Sequence, residues 1–142
     1  VTEILAPCAD EKQISISVSG AGFTVMGVRR MLHEVVYNLC DNAIKYNVPG
    51  GRVEIHAEND RLTVSDTGIG IPPEHQDRIF ERFYRVDKAR SRQSGGSGLG
   101  LAIVKEMVER NHGTIAVYSS DEPPTGTVFT LVFPVFDVEV TE

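Results

Sequence analysis

The 142-residue sequence predicts an α+β domain, a sandwich with helices on one face of a sheet with substantial antiparallel pairing. Three observations predict it. Segments of apolar–polar alternation come in neighbouring pairs joined by short turns, which implies antiparallel pairing. Longer segments carry apolar residues at helical spacing along one stripe, so each has a single face to bury. The two kinds of segment interleave without repeats or an internal linker, so residues 1–142 read as one domain with one core.

The elements follow in order. "KQISISVS" alternates with β-branched residues and reads as a strand. From Val28 to Tyr46, Val28, Met31, Leu32, Val35, Val36, Leu39 and Ala43 keep helical spacing, and "NVPGG" ends that helix. "RVEIHAE" and "RLTVSD" form two strands around a tight turn at Asn59 and Asp60. "PEHQDRIFERFYRVD" opens with proline and acid and reads as a short helix. "ARSRQSGGSG" is a polar, basic, glycine-rich loop, and "GLAIVKEMVERNHG" is an amphipathic helix stopped by Gly113. "TIAVYSS" and "GTVFTLVFPV" close the chain as strands, with "DEPPTG" as their hairpin loop.

Composition removes several function classes. Lys plus Arg is 14 against 20 Asp plus Glu, a net charge of −6, which argues against a nucleic-acid binder driven by phosphate neutralisation. One local basic cluster, "YRVDKARSR", stands apart. Cys8 and Cys40 are far apart with no CxxC pair, so they read as free thiols in a reducing compartment. No apolar run approaches the roughly twenty residues of a membrane span, and no signal-peptide pattern opens the chain. The domain is therefore expected to be cytoplasmic. Because Val1 is not Met, it is expected to be part of a longer protein.

Familiar sites fail on spacing. No GxxxxGK[ST] occurs, no GxGxxG follows a first strand, and "GGSGL" has Leu99 where a nucleophile elbow needs its last glycine. "HEVVY" has Tyr37 where a zinc helix needs its second His. His33, His56, His75 and His112 read as surface or packing residues.

The first helix is more informative. Asn38, Asn42 and Lys45 fall within roughly 60° of one another, beside the apolar stripe. A solvated helix face is the plain account. Two Asn residues one turn apart at a core boundary cost stability, however, and a site would explain that cost. Mg²⁺ takes one or two protein oxygens and completes its shell with water and phosphate, so an Asn carbonyl beside a Lys suits a metal-bound triphosphate. "GSGLGL" opens a helix, where free N–H groups and the dipole attract phosphate. Asp66 at a strand end can accept a hydrogen bond from an exocyclic amino group such as that of adenine. "SDTG" is equally good sequence for an Asx turn.

"NLCDNAIKYN", "DTGIGI", "RIFERFYRVD" and "GGSGLGLAIVK" resemble, in order and spacing, the N, G1, F and G2 boxes of the histidine kinase catalytic domain. "TGTVFTLVFP" is similar to the weaker closing G3 element, and the likeness runs over about residues 10 to 135. The resemblance implies the Bergerat ATP-binding fold, a two-layer α/β sandwich with helices on one face of a mixed, mostly antiparallel sheet, with ATP and Mg²⁺ held beneath a lid over about residues 85 to 97. It assigns Asn42 to Mg²⁺, Asn38 to the metal and phosphate shell, Lys45 to phosphate and Tyr46 to the adenine. Asp66 would take the adenine amino group, with Gly68, Gly70 and Ile71 shaping that wall and Thr127 near the base. Gly96, Ser97, Gly98, Leu99, Gly100 and Leu101 would line the phosphates, with Lys88, Arg90 and Arg92 reaching the γ-phosphate. Phe80, Phe83 and Tyr84 would dock on a partner, or else pack in the core.

The resemblance also implies partners: a dimerisation hairpin bearing the phospho-accepting His, and a response regulator receiver domain. No such hairpin or His is expected in this chain, since His33–Glu34, the nearest echo, lies inside the first helix. The isolated domain is expected to be monomeric and its parent kinase homodimeric, with membrane anchoring of the parent left open. Same-fold ATPases and anti-sigma serine kinases place a general-base Glu one turn before the metal-binding Asn. Here that position is Asn38, which cannot accept the proton. A silent ATP-binding module is the remaining alternative.

Overall fold

Burial alternates along the strand that opens at Gly126 and the first half of the strand that opens at Arg52, and that period decides which side of the sheet the helices cover. The computed structural model describes residues 13–22, 29–58, 60–81 and 100–133. Among these, strands β1 (Ser15–Gly22), β2 (Arg52–Glu58), β3 (Arg61–Asp66), β4 (Thr114–Ser120) and β5 (Gly126–Val132) form one sheet in the order β1-β2-β3-β5-β4. The β1–β2 pair is parallel and the other three are antiparallel, so the mixed sheet that the resemblance implies is present.

Val53 and Ile55 of β2, Val64 of β3, and Phe129 and Leu131 of β5 point to one side and are buried. Helices α1 (Arg29–Lys45) and α3 (Gly100–Arg110) cover that side with Val35, Leu39, Ala43, Ile44, Val104 and Val108. The opposite side carries Glu54, His56 and Thr130, which keeps it wettable. Cys40 is wholly buried in α1, and burial pushes its thiol up to about 11, so it packs as a small apolar side chain.

Two details differ from the sequence expectation. Helix α2 covers only Pro73–Gln76; residues 77–80 continue as turns, with Arg78 N–H on the His75 carbonyl and Glu81 N–H on that of Arg78. The tightened turns set Ile79 in the core and bring Phe80 edge-on to Phe129, centroids 6.2 Å apart. Helix α3 ends in a Schellman turn whose left-handed residue is His112 (φ 66°), with Gly113 N–H on the Val108 carbonyl at 2.9 Å. Gly113 is needed for space, since a Cβ there would sit 2.7 Å from the Phe133 ring. The tight turn between β2 and β3 is supported by the Glu58–Arg61 pairing, although Asn59 itself lies outside the described residues.

Where α1 ends, one side chain joins three elements. Asn47 is fully buried; its Nδ2 donates to the Arg52 carbonyl at 3.0 Å, and its Oδ1 accepts from Val48 N–H at 2.8 Å. The Thr67 hydroxyl reaches the same oxygen at 3.3 Å, just beyond β3. Thr67 in turn accepts from Arg52 N–H at 2.8 Å. Asn47→Ala would delete three hydrogen bonds, those to the Arg52 carbonyl, the Val48 N–H and the Thr67 hydroxyl, at about 0.5–1.5 kcal/mol each. The expected result is a loss of about 2–4 kcal/mol in denaturant unfolding with the slope unchanged.

Candidate functional site

The Asp66 half of the predicted site sits on the helix-covered side, at the end of the sheet where β3 finishes. Asp66 is the last residue of β3, directly opposite Thr127 of β5. Its Oδ1 accepts from Gly68 N–H at 2.8 Å, so the Asx turn does form. That turn does not use up the carboxylate. Burial lifts the Asp66 carboxyl from its ordinary 3.8 to about 6, against the opposing pull of the Gly68 and Thr127 backbone N–H groups.

The glycines of "DTGIGI" are fixed by close approach. A Cβ on Gly68 would lie 2.5 Å from the Tyr46 carbonyl oxygen, which accepts from Ile69 N–H at 3.1 Å. Gly70 has φ +77°, and a Cβ there would land on the Ser120 carbonyl oxygen. The end of α1 and the loop after β3 therefore run against each other backbone to backbone. Ile71 and Tyr46 are half-buried along that seam.

The phosphate half is built from helices. Asn38 and Asn42 lie one turn apart on α1, both half-buried. Asn38 Nδ2 donates back to the Glu34 carbonyl at 2.9 Å. Its Oδ1 faces the start of α3, 3.5 Å from where a Gly100 Cβ would stand. An amide oxygen aimed at a helix N-terminus can share a ligand with the free N–H groups there. Lys45 is paired with Asp41 at 3.0 Å, one turn back. Leu101 packs against the core beside Gly100. No cluster of three His, Cys, Asp or Glu residues suited to a metal occurs among the described residues. Asn38 and Asn42 offer neutral oxygens instead, which suit a hard cation that brings its own phosphate ligands.

Phe80 lies against Phe129 with the Lys105 ammonium 5.6 Å above its ring, so it forms the edge of the core. Phe83, Tyr84, Lys88, Arg90, Arg92, Gly96, Ser97, Gly98 and Leu99, and with them the lid, lie outside the described residues. Sequence reasoning missed Asn47, Gln76 and Ser119. For Asn47 the signal was an Asn just after the last helical turn.

The model of the histidine kinase-, DNA gyrase B- and HSP90-like ATPases matches residues 27–137. The chain belongs to that family. Within this ATPase family its relatives are sensor histidine kinases. It is 46% identical over 131 residues to the sensor-like histidine kinase SenX3 of Mycolicibacterium smegmatis, covering 89% of this chain and 34% of SenX3. The chain thus spans about a third of the length of the curated relatives it matches. Among solved structures, the mycobacterial sensor histidine kinase MprB superposes with a TM-score of 0.77 at 36% identity, covering 94% of this chain and 95% of that one. Full-length ShkA, solved in complex with AMPPNP, gives 0.70 at 28% identity over 94% of this chain and 29% of its own. The fold is that of histidine kinase catalytic domains. No helix among the described residues is long and apolar enough to cross a membrane.

For this ATPase domain, a buried carboxylate held near 6 implies a measurable cost. The folded chain binds the Asp66 proton more tightly than the unfolded chain, so the cost is absent below about pH 4 and fully present above about pH 6. At one unit per 1.36 kcal/mol, it is on the order of 2–3 kcal/mol. Asp66→Asn keeps the acceptor for Gly68 and should raise stability by about 1–3 kcal/mol at pH 7.5. That gain should fade toward pH 4 in parallel melts, while nucleotide affinity falls. A mutant equally or less stable at pH 7.5 would remove the argument.

Proposed function

We propose that this domain binds Mg-ATP and transfers the γ-phosphoryl group to a His on a separate helical hairpin, for relay to a response regulator receiver domain. What carries the reading is the approach of the Asn38 amide oxygen to the start of α3, together with the Asp66 carboxylate at the end of β3. A carboxylate acceptor and a helix N-terminus suit a ligand that carries both an amino-bearing base and oxyanions. Asp66 would accept from the adenine amino group, with Tyr46, Gly68, Gly70, Ile71 and Thr127 around the base. Asn42 and Asn38 would hold Mg²⁺, which would offset the negative charge of the phosphates. The Gly96–Leu101 stretch would cradle the phosphates, with Lys88, Arg90 and Arg92 at the γ-phosphate.

Lys45 would leave Asp41 for the phosphates. An i,i+4 surface pair is worth only about 0.3–0.5 kcal/mol, so a triphosphate easily outcompetes it. The chain's own task is positioning and exclusion of water. The accepting imidazole nitrogen forms the new N–P bond as the bond from phosphorus to the β,γ-bridging oxygen breaks and ADP leaves. Phe83 and Tyr84 are the proposed docking residues for the hairpin, and the parent kinase is proposed to be a homodimer.

The rival within the family is ATP hydrolysis or transfer to serine. Both need a base to take a proton from water or a hydroxyl, and Asn38 occupies that place. A neutral imidazole nitrogen is a nucleophile already.

Two measurements test the proposal. Asn42→Ala should weaken nucleotide binding about tenfold or more in magnesium and less than about twofold in EDTA, because it deletes a metal oxygen ligand. Equal weakening in both buffers would make Asn42 structural. Incubated with γ-labelled ATP, the chain alone should stay unlabelled and release little phosphate. Adding the hairpin domain should yield acid-labile, base-stable label on the hairpin. Rapid phosphate release by the chain alone would favour the ATPase reading, and no label with the hairpin present would favour a silent binding module.

A further inference from the structure

Beside the base end of the site, one group of polar atoms has no part in the reading so far. Ser119 Oγ of β4 lies 2.8 Å from Ile71 N, 3.0 Å from the Gly126 carbonyl oxygen and 2.8 Å from Thr127 Oγ1. Gln76 Nε2 donates to the Ile71 carbonyl at 2.9 Å and to the Ser119 carbonyl at 3.0 Å. Both ends of the Ile71 peptide are thereby fastened to β4.

The proton count around Ser119 is decisive. A hydroxyl has one proton; the Ile71 amide can only donate and the Gly126 carbonyl can only accept. One pattern alone satisfies all three contacts. Ile71 N–H and the Thr127 hydroxyl both donate to Ser119 Oγ, and Ser119 donates to the Gly126 carbonyl. The single Thr127 proton is then committed to Ser119, so Thr127 Oγ1 has only lone pairs left to offer. Thr127 is buried and directly opposite Asp66, whose carboxylate is also an acceptor.

We propose that Ser119 is a specificity-determining positioning residue: by taking the Thr127 proton it makes the wall beside Asp66 acceptor-only, so the pocket selects a 6-amino purine over a 6-oxo purine. The inference rests on the nucleotide site proposed above. An amino group brings two protons to two acceptors, whereas a carbonyl oxygen would meet lone pairs from both. Without the Ser119 hydroxyl, Thr127 can turn its proton outward and accommodate the carbonyl. Ser119 itself touches no ligand and acts through Thr127.

The test compares ATP with inosine triphosphate, which exchanges the 6-amino group for a carbonyl. Ser119→Ala should narrow the preference for ATP by about three- to tenfold, the scale of one lost buried hydrogen bond. Ser119→Thr keeps a hydroxyl and should restore the preference. Thr127→Val should narrow it similarly, and adding Ser119→Ala to that variant should change the ratio no further. Should Ser119→Ala not fold, Ser119→Cys, a weak donor, reads the same ratio. A purely structural Ser119 would lower Tm and weaken both nucleotides equally, which overturns the inference, as would additive effects in the double variant. If the unmodified chain fails to bind ATP, the site itself falls and this inference with it. If it binds ATP and Ser119→Ala leaves the ratio unchanged, this inference alone falls.

Discussion

The buried amide of Asn47 is the joint on which the site's geometry depends. It sits where α1 stops, and it holds the start of β2 and the residue after β3 through one donor and one shared acceptor. Two residues before it is Lys45, and Thr67, which bonds it from just beyond β3, follows Asp66. The proposed phosphate and base residues are therefore set relative to each other by this amide together with the Ile69 N–H on the Tyr46 carbonyl, and not through the length of the helix alone. In a low-dielectric surrounding such a fully satisfied polar cluster is strong and unforgiving, since each member strands another when removed.

The base end and the phosphate end are built differently. Around Asp66 the constraints are backbone on backbone: Gly68 against Tyr46, Gly70 against Ser120, and Ile71 fastened to β4. Around Asn38 and Asn42 they are side chains on helices, with Lys45 on a flexible stem. A planar ring with fixed donors needs the first kind of wall. A triphosphate with its cation, variable in torsion, suits the second. Asp66 carries the opposing demands most plainly, because the burial that sharpens its recognition also disfavours its charge in the empty fold.

Much of this was legible in the sequence because period and punctuation are local. Alternation found the strands, the Val35–Leu39–Ala43 stripe found α1, and the glycines of "DTGIGI" and "GSGLGL" marked where backbone must come close. The parallel β1–β2 pair and the β3–β5 contact were not legible, since no local pattern states which strand lies beside which. The shortness of α2 also escaped, because "PEHQDRIF" has adequate helix propensity. The pull of Ile79 and Phe80 into the core overrides it. Ser119 in "YSSDE" reads as an ordinary strand-end residue, and only its three partners from distant segments distinguish it.

The sheet order has a consequence for when the site exists at all. Strands β2 and β3 form a local hairpin, and so do β4 and β5, each closing a short loop. The β3–β5 seam joins residues 61–66 to residues 127–132 and closes a far longer one. Asp66 and Thr127 face each other across that seam. A chain still emerging from the ribosome holds the carboxylate long before its opposite wall has been made. The proposed base site is therefore complete only in the finished domain, and a nucleotide bound there would stabilise the product of folding without guiding the route.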